Sequence, residues 1–297
     1  MFAIIGIVVV FGAIVAGYLM EKGNLLVLMQ PAELIIIGGA ALGTLLIANP
    51  LHIIKAMAGG VLGVLKPSPY GKGRYLSTLT MMYEFLNKIR KGGLLSVEND
   101  VETPGESEDF KKYPDFLKDH LGLDFVCDTL RMTITGGVTP FDMDLMMERD
   151  MEVHHHGAVA PISSLTTVAD ALPGLGIVAA VLGVVITMGA IGGPPEEVGH
   201  KVAAALVGTF LGILLCYGLV GPLAASMTKS AEEHNEYLQV LRVLLLSFLK
   251  GNAPMIAIEM GRRAIPGHVR PSFDEMEKAC KGGGANAATE AEAAAAD

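Results

Sequence analysis

The chain has no tryptophan, only three cysteines, and fewer basic than acidic side chains, 22 Lys and Arg against 31 Asp and Glu. Each shortage excludes something. A nucleic-acid surface concentrates Lys and Arg against phosphate, and a formal net charge of −9 argues against one. Cys127, Cys216 and Cys280 are widely separated and form no C-x-x-C pair, so neither a disulfide framework nor a zinc site is indicated and they read as free thiols. There is no Walker phosphate loop, no G-x-S-x-G nucleophile elbow, no Cys paired with His and no ligand cluster at metal spacing. No enzyme, cofactor or internal repeat is therefore expected. His154-His155-His156 is the nearest approach to a metal motif, but three successive residues point in different directions on a helix and no carboxylate or cysteine joins them at ligand spacing.

The scarcity that organises the chain is local. From Ala171 to Ile191, and again from Val202 to Val220, there is no Asp, Glu, Lys, Arg or His, and each run meets the roughly 20-residue requirement for a membrane-spanning helix. With 51% hydrophobic residues, 36 glycines and a mean hydropathy of +0.48, the composition is that of a polytopic membrane protein with a polar portion. Pro173, Gly176, Ala180, Gly183, Thr187 and Ala190 recur at spacings of three and four, which puts small residues and one hydroxyl on a single helical stripe. Ala205, Thr209, Gly212 and Cys216 repeat the pattern, with Gly208-x-x-x-Gly212 inside it, a spacing that lets helix backbones approach closely. Each stripe invites another helix.

Prolines mark both runs. Within a helix, Pro173 and Pro222 would remove a backbone donor and make a kink or joint. Equally, Pro173 fits a first-turn residue capped by Asp170, and Pro222 fits a helix end.

Phe2 to Met20 is apolar and lacks the basic start and small-residue cleavage site of a signal peptide, so residues 1–20 read as a first span. A second, 32–48, opens at Pro31-Ala32-Glu33, closes at Asn49-Pro50 and contains Gly39-x-x-x-Gly43. Glu33 falls in its first turn, where a carboxylate favours the helix N-terminus or reaches back to water; an intramembrane proton site is the alternative. Of the 22 basic residues, 12 lie between Leu51 and Asp170 and 8 after Pro222, which assigns the loop 51–170 and both termini to the cytoplasm. The expected fold is all-α, a polytopic membrane protein with four transmembrane helices (1–20, 32–48, 171–191 and 202–222) and a largely helical cytoplasmic region. Leu51 to Leu65 reads as an interfacial extension of the second span.

In the loop, Leu76, Leu79, Tyr83, Leu86 and Ile89 form an apolar stripe on a helix ended by Gly92-Gly93. Basic residues dominate 71–91 and acidic ones 98–128, a pattern that either presents opposite poles to a charged partner or is a solvated face. Thr139-Pro140-Phe141-Asp142 starts a further helix running toward the third span. Residues 223–281 read as cytoplasmic helices: an amphipathic one carrying Leu238, Leu241, Leu244, Leu245, Phe248 and Leu249, interrupted by Arg242, and a shorter one opened by Pro254. The Ala, Gly and Glu of 282–297 provide no core and are expected to be disordered. A self-sufficient ion pathway needs a buried ionisable group, and the third and fourth spans have none, so a partner helix would have to bring one.

The segments Asp170-Ala-Leu-Pro173-Gly-Leu-Gly-Ile-Val-Ala-Ala-Val-Leu-Gly-Val-Val185 and Val207-Gly-Thr209-Phe-Leu-Gly-Ile-Leu-Leu-Cys-Tyr-Gly218, with Pro222 and the Arg90-Lys-Gly-Gly stretch before Glu98, resemble the MotA flagellar stator family of the MotA/TolQ/ExbB group. The likeness covers nearly everything except the tail. It implies a homo-oligomeric ring in the bacterial inner membrane around MotB, a single-span protein whose aspartate accepts the ion, and the length of the loop resembles that of proton-driven members. It further implies that Arg90 and Glu98 face the rotor protein FliG, that Pro173 and Pro222 couple ion binding to movement, and that Thr209 and Thr187 line the ion path. Lipid is the surrounding partner. Rival readings are an ExbB- or TolQ-like energiser of outer-membrane transport, which generally lacks the Arg90 and Glu98 motif, a self-contained secondary transporter, and a passive membrane scaffold.

Overall fold

The computed structural model describes residues 2–282, so the expected disorder of 282–297 falls, from residue 283 on, outside the described residues. Its helices are α1 (Phe2–Met20), α2 (Leu25–Leu28), α3 (Pro31–Ala48), α4 (Leu51–Val64), α5 (Lys72–Gly92), α6 (Glu98–Glu102), α7 (Glu108–Lys111), α8 (Pro114–Lys118), α9 (His120–Thr135) and α10 (Pro140–Met188). They continue with α11 (Pro195–Leu215), α12 (Gly221–Leu249), α13 (Pro254–Ala264) and α14 (Phe273–Lys281). No strand occurs among the described residues. Four helical stretches are long and apolar enough to cross a membrane: α1, α2 with α3, α10, and the run from α11 into α12. The all-α, four-span expectation holds.

The chain forms two units, Met1–Pro67 with Gly157–Ala231, and Ser68–His156 with the residues from Glu232 onward. Helices α10 and α12 contribute to both.

In the first unit, α3 buries Glu33, Ile37, Ala41 and Leu45, one residue in every four, which is the single face a straight helix can offer a neighbour. Ile37 and Ala41 join Ala169, Leu172, Ala179 and Cys216 in one apolar cluster. The junction between α3 and α4 is fastened by polar groups: Asn49 Nδ2 donates to the Leu45 carbonyl at 3.1 Å, and the Ser164 hydroxyl donates to Asn49 Oδ1 at 2.5 Å. Val64 at the end of α4 then packs with Ile162, Leu165, Ala224 and Met227. By contrast α1 buries nothing, which leaves its apolar side chains for lipid or another chain. Gly39 and Gly43 also meet open space, so the motif between them is unused within this chain.

The second unit is built on α5. Its buried face is wider than the expected stripe, adding Tyr75, Met81, Met82 and Phe85 to Leu76, Leu79, Leu86 and Ile89, because α9, α12, α13 and α14 share one core with it. Phe85, Phe110 and Phe116 stack in series, with ring centroids 5.1 and 6.0 Å apart. The Arg74 guanidinium pairs with Asp119 at 2.9 Å and lies 5.4 Å above the Tyr237 ring, whose hydroxyl meets Thr78 Oγ1 at 2.8 Å. Arg242 does not interrupt its helix; it reaches Asp144 at 2.7 Å and Glu148 at 3.3 Å on α10. Ser272 and Glu275 form a capping box that starts α14.

Candidate functional site

Within the membrane unit, the two small-residue stripes are complementary to one another. A methyl group on Gly176 would stand 2.7 Å from the Gly208 carbonyl oxygen and 3.1 Å from the Gly212 Cα, and one on Gly183 would stand 2.9 Å from the Ala205 Cα. Each stripe therefore serves first to seat α10 against α11, rather than a helix from another chain. Backbones this close exclude side chains and leave narrow apolar contact.

Both prolines lie inside continuous helix. Pro173 is an interior residue of α10, as is Pro161, so no helix begins at Asp170. The span read as 171–191 is the last part of α10 and ends at Met188. Pro222 is the second residue of α12, and residues 216–220 before it wind as a π-turn. There the Gly221 amide donates to the Cys216 carbonyl, five residues back. A proline has no amide to offer and crowds the carbonyl four residues earlier; one wider turn ahead of it relieves that crowding without ending the helix. The helix thus continues through Pro222 and does not stop there.

The threonines differ. Thr187 is buried and its hydroxyl donates to its own helix, to the Gly183 carbonyl at 2.8 Å. Thr209 is half-buried and makes no such bond among the described residues. Of the two, Thr209 has the free hydroxyl. No Asp, Glu, Lys, Arg or His lies between Ala171 and Met188 or between Val202 and Leu215. The neighbouring carboxylate is Glu33 of α3, which the first-turn position led us to expect near water. It is instead only 6% exposed.

In the second unit, Arg90 is exposed in the last turn of α5 and Glu98 is exposed at the first residue of α6. Between them Gly93 turns the chain with φ +78°, a conformation that glycine adopts without strain. The turn is held by Lys88, which donates to Asp100 at 2.6 Å and Asp109 at 2.7 Å. These carboxylates raise the ammonium above the usual lysine range, and Lys88 in turn holds Asp109 below the usual carboxylate range. Lys72 pairs with Glu275 at 2.7 Å and Arg74 with Asp119. Much of the basic and acidic blocks is therefore spent inside the unit, which sequence alone did not show. Arg90 and Glu98 enter no ion pair among the described residues.

No group of three His, Cys, Asp or Glu poised for a metal occurs among the described residues, and the three cysteines are buried free thiols. Burial pushes Cys127 and Cys280 up to about 12, which makes them inert.

A helical membrane protein with four spans, proline joints within its long helices and a separate polar helical unit is the class these features define. Residues 4–93 match the motility protein A N-terminal family and residues 118–240 the MotA/TolQ/ExbB proton channel family. Motility protein A of Escherichia coli (strain K12) is 42% identical over 278 residues, 94% of either chain. The fold is shared with a structure of C. jejuni MotAB, at a TM-score of 0.76 and 19% identity over 91% of this chain and 98% of that one. It is also shared with the flagellar MotAB stator complex from Bacillus subtilis, at 0.69 and 23% over 93% and 98%. The chain belongs to the motility protein A branch of the MotA/TolQ/ExbB proton channel family.

Proposed function

We infer that this chain is a flagellar-motor stator subunit that forms a proton channel with MotB and converts proton flow into torque. The observation that carries the reading is its end-to-end likeness to motility protein A. The N-terminal family match favours the motor over an ExbB- or TolQ-like energiser. The polar face agrees with it: Arg90 and Glu98 are exposed and enter no ion pair among the described residues, on a turn that Lys88 fixes.

Several copies surround one MotB in the bacterial inner membrane, with lipid outside and the loop and both termini in the cytoplasm. The proton is carried by a carboxylate on the MotB helix, because α10 and α11 supply none in their apolar stretches. Thr209 offers its hydroxyl to that path, and Thr187, already bonded within α10, shapes it. Pro173 and Pro222 are the joints at which the helices respond to proton binding, and Arg90 and Glu98 meet opposite charges on FliG.

Co-expression with MotB tests the reading. Purified together and placed in vesicles, the two proteins should form a complex with several copies of this chain per MotB and should admit protons under an imposed potential. A complex that assembles but remains proton-tight under that potential would reduce the chain to a passive scaffold. In the assembled complex Thr209→Val should lower flux, since it keeps shape while removing the hydroxyl.

A further inference from the structure

Glu33 is a buried carboxyl of the membrane unit. It belongs to the first turn of α3, yet it is only 6% exposed and its Oε2 has no hydrogen-bond partner among the described residues. The oxygen occupies the notch left by a missing side chain: a methyl group on Gly208 would lie 2.7 Å from Glu33 Oε2, 3.0 Å from the Ala179 Cβ and 3.2 Å from the Ala180 nitrogen.

That place is deep. Ala180 precedes the end of α10 at Met188 by eight residues, about 12 Å along a helix axis. Gly208 follows the start of α11 at Pro195 by thirteen residues, about 20 Å. A carboxylate buried in this notch without a partner needs a cation, a donor or a proton. The surrounding elements bring no cation to it. Glu33 is the one ionisable group of α3, α2 has none, and α10 has none between Ala171 and Met188. On α11 the charged or titratable groups are Glu196, Glu197, His200 and Lys201, all within its first two turns, and Lys201 is already paired with Glu197 at 2.9 Å. Glu21 and Lys22 lie in the connection before α2.

We propose that Glu33 is a proton-binding site of this subunit, a relay carboxyl between water at the end of the bundle carrying the short connections 21–30 and 189–194 and the path beside Thr209. The assignment rests on the reading of the chain as a proton-channel subunit. In the loading step a hydronium ion gives its proton to the carboxylate, leaving water and a neutral carboxylic acid; in the unloading step the acid returns the proton to the next water along the path. Gly208, whose missing side chain makes room for the carboxyl, immediately precedes Thr209, so the acid lies at the level along α11 at which Thr209 carries its hydroxyl. Proton exchange requires an acid at this point, and shape alone is not enough.

The test uses the complete complex with MotB. Glu33→Gln keeps the size and polarity of the side chain but cannot exchange a proton, and Glu33→Asp keeps the exchange. Glu33→Gln should assemble with MotB at the wild-type level and lower proton flux by about tenfold or more, while flattening the dependence of flux on external pH that Glu33→Asp retains. Dicyclohexylcarbodiimide, which reacts with protonated carboxyls in apolar surroundings, gives a second measurement on the unaltered complex. Mass analysis should find the adduct on Glu33, forming more slowly as pH rises. Wild-type flux and pH profile in assembled Glu33→Gln overturn the proposal. Failure of that variant to assemble, together with no adduct on Glu33 of the unaltered complex, also overturns it and makes the carboxyl structural. Loss of assembly with an adduct of the stated pH dependence supports it. A wild-type complex that passes no protons refutes the channel reading itself, a result distinct from either.

Discussion

Gly176 and Gly212 face each other across the contact of α10 with α11, where a methyl group on Gly212 would stand 2.9 Å from the Gly176 Cα and 2.6 Å from the Leu172 carbonyl oxygen. The obstacles are backbone atoms, which cannot swing aside as a side-chain tip does. Gly212→Ala should therefore lower the thermal stability of the chain in detergent, by about 1–3 kcal/mol. Gly174→Ala meets nothing within 4 Å and serves as the control. Equal melting temperatures for the two variants would show that α10 and α11 are not held by this contact.

Arg90 and Glu98 are exposed, so in the proposed rotor contact they would act as surface charges, about 0.2–1 kcal/mol for each pair. Neutralising either alone should be mild. Reversing either, as Arg90→Glu or Glu98→Lys, should strongly reduce swarming while leaving membrane insertion and MotB binding intact, and a compensating reversal on FliG should restore part of the loss. Normal swarming in both reversal strains would remove these residues from the rotor face.

Pro173 and Pro222 each remove one backbone donor from helix that continues through them. Replacing either with alanine returns a backbone donor, so the variants should be as stable as the parent or more so, by up to about 3 kcal/mol. They should nevertheless produce less torque at equal proton flux, because bending at an uninterrupted turn costs more. Torque measured on tethered cells, beside MotB co-purification, separates the cases. Wild-type torque from both alanine variants would end the joint hypothesis, whereas loss of assembly would make the prolines helix-shaping residues only.

In the polar unit, Glu259 receives Arg262 at 2.7 Å and Arg263 at 2.7 Å, and the Arg262 hydrogen bond holds its carboxyl near about 2, below its ordinary 4.5. A carboxylate depressed on folding stabilises the fold above its unfolded value and loses that contribution as pH falls toward its folded one. Glu259→Gln should cost about 1–3 kcal/mol at pH 7. The gap from the parent should narrow below pH 4.5 and close near about 2. Thermal unfolding followed by circular dichroism across that range gives the comparison; a gap that persists at the acid end would show that packing, not charge, was lost.

Much of the architecture is legible in the sequence because a membrane enforces long uncharged runs, and these fixed the four spans and the approximate ends of α1 and α3. Close helix contact was also readable from Gly208-x-x-x-Gly212, but small residues do not say which helix will use them. The same motif at Gly39 and Gly43 meets open space, while Gly208 accommodates Glu33. The depth of Glu33 was hidden for a related reason: its place in α3 says first turn, and only the packing of α3 against α11 puts it near the level of Ala180. The π-turn at 216–220 has no compositional signature beyond the proline that follows it. Arg242 looked like a break because its partners, Asp144 and Glu148, are about a hundred residues away along the chain. The start of α14 is written in the sequence as the capping box Ser272-x-x-Glu275.

The central claim, that this chain is the torque-generating partner of MotB, is tested most directly by complementation in a motile bacterium lacking its own motility protein A. Expressed with its cognate MotB, this chain should restore rotation of tethered cells, with speed rising stepwise as complexes join the motor and falling to zero when the proton gradient is collapsed. A membrane complex that assembles at normal abundance and conducts protons, yet never turns the cell, would contradict the account.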